Sequence, residues 1–318
     1  VTEPLFTNDE EFDRPRLAAH GPVRVRVPAK INLHLHVGRL RGDGFHELTT
    51  VYHAISLYDE VTARRGDTLV LTMEGEGTGL LPLDEDNLVV KAARALAKHT
   101  GNDAHARLHL RKQIPVAGGL AGGSADAAAT LVACDQLWGT GLSRDELAGI
   151  AATLGSDIPF LVLGGTALGT GRGELVSPVL VGGQSWHWVL AVADEGLSTP
   201  EVYRTFDALG GGSAGARSGP PDVLLAALRQ RDPEVLAGAL ANDLQRPALH
   251  LRPELRDTLD AGMAAGALAG MVSGSGPTCA FLAADARHAA EIAADLEAGE
   301  VCRAVRTAIG PVAGARVL

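Results

Sequence analysis

Lysine is scarce in this chain: only Lys30, Lys91, Lys98 and Lys112 stand beside 24 arginines. A lysine inside a structured motif is therefore hard to put down to composition. Cysteine is scarce too. Cys134, Cys279 and Cys302 are odd in number, far apart and set in apolar runs. That excludes a disulfide framework and a CxxC metal site, and reads as buried thiols in a reducing compartment. No run of about 18 apolar residues is present, which excludes a membrane span of the helical kind. No N-terminal apolar run fits a signal peptide, so a cytoplasmic protein is expected. Positive charge is not in excess. The net charge of −10 argues against a nucleic-acid surface, though not against a nucleotide held by a local nest of donors.

Several nucleotide and nucleophile signatures are also missing. There is no GxxxxGK[ST], no GxGxxG, and neither the HRD nor the DFG of protein kinases. A G-x-S-x-G string occurs at 211–215, inside the low-complexity stretch 210–220 and with no strand before it, so it does not read as a nucleophile elbow. His34 and His36 could offer two ligands from one strand face. No partner cluster lies at useful spacing, and a packing or surface role fits better.

What remains is a chain of 318 residues, 46% of them hydrophobic, enough for one large domain or two of ordinary size. Residues 1–20 are acidic and without period, and read as a loosely attached extension. Residues 23–37 alternate. Val25, Val27, Ala29, Ile31, Leu33, Leu35 and Val37 fall on one face, and Pro28, Lys30, Asn32, His34 and His36 on the other. Pro28 predicts a kink or bulge. Lys30 and Asn32, on a strand that reads as central, predict the floor of a cleft. Strands over 49–64, 69–73 and 106–114 follow, with a helix capped by Asp86 or Asn87 that runs through about Lys98 and has Gly101 as its stop. Helices over 124–138 and 143–154 come next, the second opened by a Ser143/Glu146 capping box. The second half mixes strands and helices without strict βαβ alternation, which favours an α+β fold.

Between the strand over 106–114 and the helix after it lies Pro115-Val116-Ala117-Gly118-Gly119-Leu120-Ala121-Gly122-Gly123-Ser124-Ala125. Strand, glycine loop and helix N-terminus are the parts of a phosphate cradle: glycines let successive N–H groups turn toward an anion, and the helix dipole adds to them. Asp157 sits between a helix end and Pro159, where a carboxylate serves either as a cap or as a reactive group.

Four strings together resemble the GHMP small-molecule kinases: Pro28-Ala29-Lys30-Ile31-Asn32-Leu33, the glycine loop with Ser124, Gly155-Ser156-Asp157-Ile158-Pro159-Phe160, and Gly274-Ser275-Gly276-Pro277-Thr278. The run over 28–61 is similar to the branch whose acceptor alcohol, a methylerythritol, is joined to cytidine diphosphate. The resemblance implies an α+β fold of two domains meeting at a cleft, an N-terminal one over 21–175 and a ferredoxin-like one over 176–318. It implies ATP with Mg²⁺ as phosphoryl donor, a small-molecule acceptor, and neither nucleic acid nor membrane as partner. Asp157 matches the family's base and Lys30 the cation beside it. Residues 115–125 match the triphosphate cradle. Asn32 and His46 match residues that hold the acceptor, His46 toward the cytosine, and Phe45 and Tyr52 match aromatic positions near the cytidine. Other GHMP kinases, of homoserine or mevalonate type, and a non-catalytic member of the fold are the alternatives. Three positions depart from the common pattern: Phe45 for Tyr, Ala121 for Gly, and Asp126 for Asn. Ala121 is compatible with the loop if its φ stays negative. The Asp126 carboxylate either turns away from the phosphates or reaches Mg²⁺.

Overall fold

A computed structural model describes residues 21–181, 183–211 and 221–318. The extension over 1–20, most of the low-complexity stretch and the G-x-S-x-G string beyond Gly211 lie outside the described residues. The alternating segment is one long strand, β1 (Val23–Leu40), paired antiparallel with β2 (His46–Arg64). The register slips between Pro28 and Ala29, again between Asn32 and His34, and between Val37 and Leu40. The first slip is the bulge that Pro28 demands, since proline cannot donate to the ladder. Both faces of β1 are covered from Val27 to Leu35, so its polar face is a buried floor and not a solvated one.

Next come β3 (Leu69–Gly75), α1 (Leu88–Thr100), β4 (Ala106–Lys112), α2 (Gly122–Trp138), α3 (Arg144–Ala152), α4 (Ile158–Leu163), β5 (Thr166–Thr170) and β6 (Leu175–Pro178). Asn87 caps α1 by accepting from Val89 N at 2.9 Å, and Gly101 ends it in the left-handed region. The Ser143/Glu146 capping box of α3 is present in both directions. Helix α2 is buried on nearly every side. Alanines 125 and 127–129 let its backbone lie close on β1 and β2, as its small apolar sequence requires.

The second half adds β7 (Trp186–Val192), α5 (Thr199–Ala208), α6 (Asp222–Gln230), α7 (Pro233–Ala237), β8 (Ala241–Asn242), α8 (Gln245–Leu251), α9 (Leu255–Ala264), β9 (Ala269–Val272), β10 (Cys279–Ala283), α10 (Ala286–Ala298), β11 (Ala304–Gly310) and β12 (Arg316–Val317). Two sheets result. The first runs β12-β1-β2-β4-β3, with β5 and β6 continuing from β2 and with β8 on β1. The second is the antiparallel β11-β7-β10-β9, the strand order of a ferredoxin-like unit. The α+β architecture is thus observed. Two parts of the second half return to the first sheet: β8 pairs with β1 in parallel, and β12 pairs with β1 antiparallel, so the last residues close the first sheet instead of staying with the second.

Cys134 and Cys279 are free and buried, and Cys302 is half-buried. Burial pushes the Cys279 thiol up to about 12 and Cys134 higher still, so neither is a nucleophile at neutral pH.

Candidate active site

Lys30 reaches up from β1 and is nearly inaccessible. Its Nζ donates to Asn32 Oδ1 at 2.6 Å and to Gly119 O at 3.4 Å, and lies 3.6 Å from Asp157 Oδ2. Three directions of an ammonium are thereby met by three oxygens, which fixes it without a fourth support. Asn32 is itself held, since Nδ2 donates to Thr50 Oγ1 at 2.7 Å and Thr50 donates to His34 O at 2.7 Å. Both Lys30 and Asn32 line an open cavity of about 870 Å³.

Asp157 occupies the N-cap position of α4 but makes no side-chain cap bond. Of the two roles open to it in the sequence, the cap is excluded. Its Oδ1 accepts from Tyr52 Oη at 2.9 Å, Oδ2 faces Lys30, and the side chain is 30% exposed toward the cavity. Tyr52, whose motif position implies a place near the cytidine, lies behind the cavity wall, touching it through Asp157. It is buried on β2, stacked on Phe160 at 4.9 Å, and absent from the cavity lining. The reason is steric: Gly169 and Gly173 leave the space its ring fills, and a Cβ on Gly173 would stand 2.3 Å from Tyr52 Oη. Burial, then the Asp157 carboxylate, hold the Tyr52 phenol well above its ordinary value, so it remains a donor.

The glycine loop lines the same cavity beside Lys30. Ala117, Gly118, Gly119, Ala121, Gly122, Gly123 and Ser124 line the cavity, whereas Leu120 and Ala125 face the core and Pro115 and Val116 stand outside the lining. Ala121 precedes α2 at φ +57, and Ala117 sits at φ +52. The condition of negative φ at Ala121 is not met: the methyl is carried in the left-handed region, at a cost of about 1–2 kcal/mol. Several contacts hold the loop in this shape, among them Ser273 Oγ donating to Gly119 O at 3.1 Å and Leu197 N donating to Ala117 O at 3.4 Å. Lys30 N donates to Leu120 O at 3.2 Å, and Thr278 N to Gly118 O at 3.3 Å. Gly119, at φ +76, passes so near Ser273 O that a Cβ there would be 2.2 Å away. The GSGPT turn is thus the clamp that seats the loop. The first intrahelical bond of α2 is Ala125 N to Ala121 O, so the N–H groups of Gly122, Gly123 and Ser124 precede the ladder and are free to meet an anion.

Asp126 turns away. Its Oδ2 accepts from Lys112 Nζ at 2.7 Å, and Lys112 also donates to Asp59 Oδ2 at 2.6 Å, all three buried beneath the loop. Asp59 Oδ1 accepts from Gln113 N and Ile114 N, which lead into the loop. Burial and the neighbouring Asp59 hold the Asp126 carboxyl well above its usual range. Among the described residues no cluster of three His, Cys, Asp or Glu side chains could hold a metal.

The other end of the cavity joins the two halves. Phe45, 50% exposed, lies under the Arg172 guanidinium at 4.9 Å. His46 Nε2 pairs with Asp207 Oδ1 at 2.9 Å, and its ring stacks on Tyr203 at 5.3 Å. Pro200, Tyr203, Arg204 and Asp207 all line the cavity from α5. Sequence reading missed this wall. Its trace is the spacing i, i+3, i+4, i+7, one helix face, opposite to the buried Val202 and Phe206.

Comparison with known proteins follows the same division of the chain. The GHMP kinases N terminal domain family matches residues 87–165, and the GHMP kinases C terminal family residues 224–301. A 4-diphosphocytidyl-2-C-methyl-D-erythritol kinase of Salinispora tropica is 73% identical over 308 residues, 96% of this chain and 98% of that protein. One from Streptomyces coelicolor is 57% identical over 93% of this chain and 99% of its own length. A crystal structure of a 4-(cytidine 5'-diphospho)-2C-methyl-D-erythritol kinase aligns with a TM-score of 0.72 at 32% identity, covering 90% of this chain and 98% of that one. A homoserine kinase from Cytophaga hutchinsonii aligns with a TM-score of 0.71 at 20% identity, over 93% of this chain and 97% of that one, a likeness of fold.

Proposed function

The chain belongs to the GHMP kinases, in the branch of the 4-diphosphocytidyl-2-C-methyl-D-erythritol kinases, and from that membership we infer how its residues divide the work of phosphorylating an alcohol with ATP. The acceptor is 4-diphosphocytidyl-2-C-methyl-D-erythritol, an intermediate of non-mevalonate isoprenoid precursor synthesis, and the hydroxyl phosphorylated is the 2-hydroxyl. The observation that carries the assignment of roles is Asp157, held between Lys30 and Tyr52 and open to the same cavity as the glycine loop.

An alcohol is a poor nucleophile until its proton leaves. Asp157 Oδ2 takes that proton. Lys30, 3.6 Å away, offsets the negative charge gathering there and on the moving phosphoryl group. The N–H groups of Gly122, Gly123 and Ser124 and the dipole of α2 receive the triphosphate. Mg²⁺ prefers oxygen ligands and keeps several waters, so a site without a carboxylate cage suits it. Ser124 Oγ is the side-chain oxygen that the cavity-lining loop offers and would be the protein's ligand to the ion, whose chemistry there would be neutralisation of phosphate charge. Asp126, committed to Lys112, has no part in this.

The cytidine end of the acceptor fits the wall of Phe45, His46 and Tyr203, with Asp207 fixing the imidazole. Arg172 and Arg204, cations of the same cavity, suit the diphosphate between base and polyol. A homoserine or mevalonate acceptor has no use for this aromatic and cationic end. The buried thiols suit a cytoplasmic enzyme, and no helix among the described residues is long and apolar enough to cross a membrane. The test is ADP release with ATP and a panel of alcohols. Turnover with the cytidylyl alcohol and not with homoserine or mevalonate is expected; equal turnover on an alcohol lacking the nucleotide would overturn the assignment of this wall.

A further inference from the structure

We propose that Tyr52 is a positioning residue for the reaction, aiming the Asp157 carboxylate so that a single oxygen, Oδ2, meets the acceptor hydroxyl. The inference rests on the reading of Asp157 as the base and goes one residue deeper.

A carboxylate on one rotatable bond presents two equivalent oxygens. Whichever faces the acceptor, the group loses rate if it turns, because proton transfer needs the donor and acceptor atoms aligned. Here the two oxygens are made unequal. Oδ1 is occupied by Tyr52 Oη at 2.9 Å and Oδ2 is turned toward Lys30. The cap bond that would otherwise tie an N-cap aspartate to its own helix is missing, so the Tyr52 bond takes its place as the fixing contact. The Asp157 side chain is part-exposed, whereas Tyr52 is buried. Its ring is stacked on Phe160, and the strand that bears it is paired on both sides, with β1 and β5.

A second observation points the same way. Gly173 has φ +102, and a Cβ there would lie 2.3 Å from Tyr52 Oη. The turn after β5 has therefore left room for the hydroxyl itself. A phenylalanine would fill the apolar stack equally well, so packing alone does not call for the oxygen.

The charged and titratable groups around this pair come from every neighbouring element. Lys30 from β1 stands over the Tyr52 ring at 5.9 Å, Tyr203 faces the pair from α5, and Glu174 stands after β5. Of these only Tyr52 donates a hydrogen bond to Asp157 in the structure. Because its phenol stays protonated, the contact is a one-way donation that occupies Oδ1.

The experiment is steady-state kinetics of Tyr52→Phe beside the parent and Asp157→Asn, with kcat and KM measured for both substrates. Tyr52→Phe keeps the stack on Phe160. Expected are a kcat lower by roughly tenfold and unchanged KM for ATP and acceptor. An Asp157→Asn variant without turnover, together with a Tyr52→Phe variant whose kcat equals the parent's or whose KM rises in step with the loss of kcat, would overturn the role of Tyr52 alone. An Asp157→Asn variant that keeps near-parental turnover would overturn the base, and the role of Tyr52 with it.

Discussion

Replacing Lys112 by Met tests the buried charge cluster beneath the glycine loop. Lys112 is the shared partner of Asp59 and Asp126, at 2.6 and 2.7 Å, and its side chain is 1% exposed. Removing the ammonium leaves two buried carboxyl groups facing each other. Breaking a buried pair in this way costs about 3–5 kcal/mol, because a buried charge is left uncompensated. For a domain of this size that corresponds to a fall in Tm of roughly 6–20 °C. Asp126→Asn is the contrasting variant. The Asp126 carboxyl is already held toward its neutral form, so an amide, uncharged and of the same shape, changes little and keeps an oxygen for Lys112. Its cost should stay within about 1 kcal/mol. Both are read by thermal melts and by urea midpoints at pH 7. A Lys112→Met protein melting within about 2 °C of the parent would refute the reasoning. So would an Asp126→Asn protein that falls as far as Lys112→Met.

The remaining expectations concern pH and the acceptor wall. Asp126 is raised in the folded chain above its unfolded value near 3.9, so the fold binds the proton more tightly. Its contribution to stability is then complete below about pH 4 and lost as pH rises through the folded value. The urea midpoint of the parent should therefore decline with pH more steeply than that of Asp126→Asn, and parallel profiles would contradict this. Asp207→Ala frees His46 from a pair that is part-exposed, so KM for the acceptor should rise about two- to fivefold with KM for ATP unchanged. Steady-state kinetics with each substrate varied in turn checks it; a rise in KM for ATP instead would move Asp207 to the other end of the cavity.

Much of the fold was legible because its signals are local. The period of two in β1, the cap at Asn87, the capping box at Ser143 and the stop at Gly101 all depend on neighbours in sequence. Lys30 stood out as one of few lysines on a buried face, and the glycine loop by composition. What was not legible depends on partners far away. Nothing near Asp126 says that Lys112 and Asp59 claim it, since the three residues come from different elements. Ala121 was read by the rule that alanine avoids positive φ. The fixed geometry of the GSGPT turn, Lys30 and the α2 N-terminus outweighs that local cost. Tyr52 was placed near the cytidine by its motif position, yet two glycines more than a hundred residues on decide where its ring goes. Helix α5 carries an ordinary amphipathic pattern, and only the cleft makes its polar face a wall of the site.

The central claim is that Asp157 removes the acceptor's proton beside a loop that holds the nucleotide. The most direct measurement is ADP release by Asp157→Asn alongside its ATP affinity, with the cytidylyl alcohol as acceptor. A loss of turnover of about a hundredfold or more with ATP affinity retained is the expected result. Near-normal turnover, or ATP affinity lost together with turnover, would contradict it.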